Sequence, residues 1–341
     1  MRVVSLLPSA TEMLFEIGAG DLLVGRSHEC DWPPQAVRAP VVTATSLTTV
    51  PETSGPPPAS PTSTHTSTPT ATPGAIDRAV RSAMAAKRPL YTLDRGLLAA
   101  LRPDLVLTQD VCHVCSLDVD GVRSACEEIP GSAQVLSLNA TTIEGVLDDM
   151  LTLASAVGRA QQGLASVTRL RGRMYRAQEL VNPFTSIASC AVLEWTDPLF
   201  VAGHWTPQLV ERAGAWHPLN PTVPVPGAGA AAGPIGLTQR RAGKGVVVPL
   251  EVLTASRPEV LIIAPCGRTL AQALDDAREL ARQGWWRTLP AVQRSRVAVL
   301  DGNASFSRPG PRLADTMEWL CAYLNDRPDA MPEGLAWAPL K

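Results

Sequence analysis

No apolar run in this sequence approaches the ~20 residues that a helix needs to cross a bilayer, so no membrane span is expected. An excess of one charge is missing too. Lys and Arg number 30 and Asp and Glu 32, a formal net charge of -2, and no basic stripe is visible. A nucleic-acid partner therefore has no electrostatic footprint. The phosphate-cradling patterns G-x-G-x-x-G and G-x-x-x-x-G-K-[ST] are both absent, which leaves nucleotide binding without a motif. Ser9 lacks a G-x-S-x-G elbow, so a serine triad has no starting point. Ahead of the apolar run at 3–7 there is no basic segment, apolar segment and cleavage site of a signal peptide. Taken literally, that places the protein in a reducing compartment, cytoplasmic or organellar. A mis-called start would make the address periplasmic or otherwise extracytoplasmic. The seven cysteines are then expected as thiols or metal ligands rather than a disulfide framework.

What is present fits an α/β protein with room for two cores, since the chain has 341 residues and is 45% hydrophobic. Residues 3–7 read as a buried strand. Ser9 and Glu12 follow as a capping box, and Gly18 and Gly20 end the helix. A strand turning directly into a helix is the unit of a parallel sheet. Further strands are expected at 22–25, 105–108 and 134–138, and the pattern resumes after Pro183 with 188–195, 246–248, 259–264 and 296–300.

Between the two series, apolar residues at Ile143, Leu147, Met150, Ala154, Val157, Leu164, Val167, Leu170, Met174 and Val181 keep helical spacing. Thr141 and Glu144 would cap the start, and Asn182-Pro183 would stop it. One helix over 141–181 would span on the order of 50–60 Å, too long for a crossover inside one lobe. A break would fall at 158–163, where Gly158 and Gly163 weaken it; two ordinary helices in one domain are the alternative. The expected organisation is a lobe over 1–140, a backbone helix over 141–182, a second lobe over 183–327 and a loose tail over 328–341. Two compositionally biased insertions interrupt it. Residues 43–75, rich in Thr, Ser and Pro, read as disordered, which discounts His65 as a ligand. Residues 217–245, rich in Pro, Gly and Ala, read as mobile.

The chemically unusual residues each follow the carboxyl end of an expected strand, where open parallel sheets bind ligands. His28, Glu29, Cys30, Asp31 and Trp32 form one group, and Asp110, Cys112, His113 and Cys115 another. Glu194, Trp195, His204 and Trp205 form a third, with Cys266 and then Asp301, Asn303 and Phe306 beyond. Cys112 and Cys115 have C-x-x-C spacing, and with Cys30 and Cys266 they would suit zinc, iron or cobalt. A redox pair, or thiols that only pack, are the alternatives. Trp32, Trp195 and Trp205 are candidates for stacking on a flat ligand. Cys126, Cys190, Cys321, Trp216 and Trp319 read as core.

The opening "RVVSLLPSATEMLFEIGAGDLLVGRSHECDWPP" resembles that of the substrate-binding proteins of cobalamin and iron-complex ABC transporters. "DLVLTQDVCHVC", "LEWTDPLFVAGHWTPQLVERAG", "PEVLIIAPCG" and "DGNASFSRPGPRLAD" resemble later blocks of one cobalamin-binding-like branch. The resemblance covers nearly the whole chain outside the two insertions. It implies a class III periplasmic-binding-protein-like fold: two Rossmann-like lobes with parallel-type sheets, joined by one long helix and clamping a ligand with little hinge motion. The implied function is that of a monomeric, non-enzymatic binder of a corrinoid (cobalamin-like) or related metal chelate, with an ABC permease as partner and no required cofactor. The ligand-binding residues would be His28, Glu29, Trp32, Glu194, Trp195, His204, Trp205 and Phe306. The chain departs from the family in lacking a signal peptide and lipobox cysteine, in its two insertions, and in having more cleft cysteines than a preformed corrinoid needs. A hydrolase using a cleft metal, with Glu194 or Glu29 as base, and an intracellular corrinoid or metal sensor or chaperone are the alternatives.

Overall fold

The computed structural model describes residues 1–47, 71–110, 119–129, 131, 133–182, 184, 186–226 and 240–340. The first half runs β1 (Val3–Ser5), α1 (Pro8–Glu16), β2 (Leu23–Arg26), β3 (Thr43–Thr45), α2 (Pro73–Ala85), β4 (Tyr91–Leu93), α3 (Arg95–Leu101), β5 (Leu105–Thr108), α4 (Val119–Glu127) and β6 (Gln134–Ser137). Strands β2-β1-β5-β6 pair in that order, all parallel. Short apolar runs such as Leu105–Thr108 are buried throughout, as expected of strands covered on both faces. Strands β3 and β4 form a separate antiparallel pair.

Next come α5 (Ile143–Ala156) and α6 (Ala160–Gln178). The second half comprises β7 (Ala188–Thr196), β8 (Leu199–Val201), α7 (Trp205–Arg212), β9 (Ala215–Trp216), β10 (Val223–Pro224), β11 (Arg240–Arg241), β12 (Val246–Val247), α8 (Leu250–Ala255), β13 (Val260–Ile263), α9 (Leu270–Ala281), α10 (Pro290–Gln293), β14 (Val297–Leu300), α11 (Leu313–Leu324) and β15 (Trp337–Pro339). Its main sheet has the order β12-β8-β7-β13-β14-β15. The central strands β7, β13 and β14 are parallel, and β8, β12 and β15 are antiparallel additions.

The helix expected over 141–181 is two helices. Gly158 adopts φ +69 and ends α5, a backbone state that costs other residues strain. The chain then turns so tightly that a Cβ on Gly163 would collide with the Cβ of Ala154. The cap is Thr142, not Thr141; its side chain accepts from the Gly145 N–H at 3.0 Å. The joining element is α6, roughly 30 Å long. On one side Ser166 Oγ donates to the Glu16 carbonyl at 3.1 Å, and Arg169 pairs with the Glu16 carboxylate. On the other, Arg173 bridges Asp315 and Glu318 of α11, each at 2.5 Å. A single apolar core runs from Met13 and Leu14 of α1 through Leu147, Met150, Val167 and Leu170 to Leu209 of α7 and Leu320 of α11.

Five other expectations change. The Ser9–Glu12 capping box does not form: α1 starts at Pro8 with no side-chain cap, and Glu12 is drawn to arginines of the second half. The margins of the first insertion are ordered, because Thr43–Thr45 gains a partner strand and Thr72 caps α2; residues 48–70 lie outside the described residues. The second insertion likewise keeps an ordered start and end, with His217 buried and β10 paired to β11, while 227–239 lie outside the described residues. Within the tail, β15 adds an edge strand to β14, and Trp337 packs edge-on against Trp319 and Tyr323. Trp216 is 44% exposed rather than core, whereas Trp319 is fully buried. Among the described residues, no helix is long and apolar enough to cross a membrane.

Candidate cleft between the two sheets

The loops after the parallel strands of the two sheets meet each other. Arg308, beyond β14, reaches Asp31, beyond β2, at 2.5 Å and donates to the Glu29 carbonyl at 3.3 Å. The Arg312 guanidinium lies 5.4 Å from the centre of the Trp32 ring. Arg268, beyond β13, is held by Asp276 at 2.7 and 2.8 Å and donates to the Ala71 carbonyl ahead of α2 at 3.1 Å. At the start of α2, Gly74 is crowded by Asp197, so that a Cβ there would meet the carboxylate. These contacts bring the loops at the carboxyl ends of both sheets together.

On the first side, His28 is pinned by β3. Its backbone N–H donates to Thr43 Oγ1 at 3.0 Å, and Nδ1 lies 2.7 Å from the same hydroxyl. The Tyr91 ring of β4 packs against it at 5.7 Å. Nε2 faces the Glu29 carboxylate at 3.4 Å without hydrogen-bond geometry. Glu29 and Trp32 are exposed, Trp32 by 46%. Cys30 differs. Its thiol is fully buried and directed at the Ser5 carbonyl at 3.7 Å. Burial pushes its pKa up, so the free thiol stays protonated.

On the second side, Glu194 and Trp195 end β7 and are half-buried. Trp195 Nε1 donates to the Asp197 carbonyl at 2.9 Å. His204 opens α7 with φ +54, its N–H donating to the Gly243 carbonyl at 2.8 Å. Its ring stacks on Trp205 at 5.7 Å. Burial, and then the nearby Lys244 cation, lower the pKa of His204 and keep it neutral. Trp205 and Phe306, expected against ligand, are buried instead: Trp205 Nε1 donates to the Phe306 carbonyl at 2.7 Å, which satisfies the indole beneath the surface. Cys266 is exposed, its backbone N–H donating to the Glu194 carbonyl at 3.1 Å.

The expected cysteine cluster thus divides. Cys30 points into the core, Cys266 is exposed on the other sheet, and Cys112 and Cys115 lie outside the described residues. Among the described residues, no three His, Cys, Asp or Glu side chains converge to hold a metal ion.

Arg308, Arg312 and Lys244 escaped the sequence reading, and Glu12 was read only as a helix cap. Glu12 is buried and takes Arg312 at 2.5 and 3.0 Å and Arg308 at 3.3 Å. The signal was available in Arg308-Pro-Gly-Pro-Arg312: two cations flanking a Pro-Gly-Pro turn in the loop that follows a strand.

No family model matches the chain, and no curated protein sequence does. Solved structures match over almost their whole length. The periplasmic vitamin B12-binding protein of Vibrio cholerae is 17% identical, with TM-score 0.60, over 96% of this chain and 97% of that one. A periplasmic heme-binding protein of Pseudomonas aeruginosa is 18% identical, with TM-score 0.62, over 100% and 95%. The periplasmic heme-binding protein of Roseiflexus sp. RS-1 is 18% identical, with TM-score 0.61, over 96% and 98%. At these identities the likeness is one of fold, and the fold is that of the class III periplasmic binding proteins.

Proposed function

We propose that this chain is a binding protein rather than an enzyme, and that it holds a preformed metal chelate of the corrinoid type, or a related one such as heme, between its two sheets. The observation that carries this reading is the make-up of the cleft walls. An exposed tryptophan, Trp32, with His28 and Glu29 stands on one side, and Trp195, His204 and Glu194 on the other. Aromatic faces suit a flat macrocycle, and a neutral imidazole is the form that ligates a metal. The lowered pKa of His204 favours that form.

The fold supports the same reading, because matching structures are described as vitamin B12- and heme-binding proteins. Residues 1–140 and 183–327 are the two lobes in this reading. The core shared through α6 suits a clamp with little hinge motion. Any direct thiol contact to metal falls to Cys112, Cys115 and Cys266. An ABC permease is the partner the reading implies.

The test is native mass spectrometry with metal analysis of protein purified from its own host. A bound species with the mass of a corrinoid or porphyrin, carrying cobalt or iron in equal amount, is the expected result. Protein that carries only bare zinc, or no metal chelate under any growth condition supplying one, contradicts the proposal.

A further inference from the structure

The end of the second insertion is built into the cleft wall. Gly243-Lys244-Gly245 crosses directly over Gly203 and Glu194. A Cβ on Gly203 would collide with the backbone of all three strap residues, and one on Gly245 would collide with the Glu194 carboxylate. Glycine is required here because backbone meets backbone without clearance. The strap is also tied down. The Asn220 side-chain amide donates to the carbonyls of Ala202 at 3.1 Å, Gly243 at 3.4 Å and Lys244 at 3.1 Å. The His204 N–H donates to the Gly243 carbonyl from the other side.

What this fixed strap presents is one side chain, that of Lys244. It is exposed, and it lies near enough to the His204 ring for its charge to be felt there. Among the described residues Lys244 enters no ion pair, and the salt bridges there are made by arginine, histidine or the N-terminus. The chain has only three lysines among its 30 basic residues, Lys87, Lys244 and Lys341. A compact, rotatable ammonium on a rigid backbone suits a charged oxygen group at the edge of a ligand.

We propose that Lys244 is a ligand-binding residue of the cleft and that it engages an anionic group, a carboxylate or a phosphate, on the rim of the bound chelate. The inference rests on the chelate reading above and deepens it. Two pairs of probes separate the sources of the anion. Hemin carries two carboxylates and hemin dimethyl ester none; hydroxocobalamin carries a phosphodiester and cobinamide none. Each is titrated into the wild type, Lys244→Gln and Lys244→Arg, with thermal midpoints measured alongside. The exposed side chain predicts unchanged midpoints.

The expected result is an affinity loss of about tenfold in Lys244→Gln for hemin or for hydroxocobalamin, no loss for the partner probe lacking the anion, and recovery in Lys244→Arg. The pair that responds identifies carboxylate or phosphate. Equal loss for both members of a pair, no loss for any probe, or wild-type binding of only the uncharged-rim members overturns the role of Lys244 and leaves the chelate reading standing. A wild type that binds none of the four overturns that reading and this inference with it.

Discussion

Arg312 and Glu12, 300 residues apart in the chain, meet in a two-point ion pair across the two halves of the molecule, Nε to Oε2 at 3.0 Å and Nη2 to Oε1 at 2.5 Å. Arg308 joins them at 3.3 Å, and the carboxylate is almost wholly buried. The contact ties α1 to the loop that follows β14, and through Trp32 it touches the proposed ligand face.

Removing the anion leaves the Arg312 guanidinium without a carboxylate and Arg308 with Asp31 alone. Glu12→Ala is therefore expected to lower unfolding stability by about 3 kcal/mol, read by urea denaturation. Glu12→Gln keeps hydrogen bonding and should lose less. A change within about 0.5 kcal/mol for Glu12→Ala would mean that the pair holds nothing together.

His217 gives a second expectation. It is fully buried, and the backbone N–H groups of Val192 and Asn220 point at its two ring nitrogens at 3.1 Å each. A neutral ring can accept from one of them and a doubly protonated ring from neither, and burial lowers the pKa to about 4. The folded value lies below the unfolded value, so the fold prefers the neutral ring. The contribution is complete above pH ~6.5 and is lost as the pH falls from there toward 4, by about 3 kcal/mol in all. Denaturation curves between pH 7 and 4 should show this slope, and His217→Asn should lack that part of it. An identical slope in the variant would refute the assignment.

The turn between α5 and α6 depends on two glycines for different reasons. Gly158→Ala meets only the left-handed backbone cost, about 1 kcal/mol. Gly163→Val forces side-chain atoms into Ala154 and should cost more, about 2–3 kcal/mol. Similar losses for the two, measured by thermal or urea unfolding, would argue against the close helix crossing.

Thiol chemistry separates the cysteines. Cys266 is exposed and should react with iodoacetamide in the native protein, whereas Cys30 should react only after unfolding. Peptide mass spectrometry after a timed alkylation reads both. Equal rates would place Cys30 at the surface and return it to the metal-ligand candidates.

The parallel strands were legible in sequence because short apolar runs such as Leu105–Thr108 and Val260–Ile263 are buried on both faces. The loops at their carboxyl ends followed from the same reading. The break at Gly158 was legible as a place, but whether the helix continued depended on the close approach of Ala154 to Gly163, a tertiary contact. Side-chain direction within the cleft loops was not legible. Trp205 and Phe306 carry the same residue types as a stacking site, yet both are buried, the Trp205 indole bonded to the Phe306 backbone carbonyl. Glu12 fitted a capping box locally and was claimed instead by arginines far along the chain. Short-range patterns cannot weigh such long-range competitors.

The most direct measurement is an equilibrium titration of the purified protein with hydroxocobalamin and with hemin, followed by absorbance and tryptophan quenching, for the wild type, Trp32→Ala and Trp195→Ala. A flat chelate held between the sheets predicts saturable one-to-one binding of at least one of them, and a loss of affinity of about tenfold in each variant as an aromatic face is removed. Absence of saturable binding to both, or wild-type affinity in both tryptophan variants, would contradict a flat metal chelate held between the two sheets.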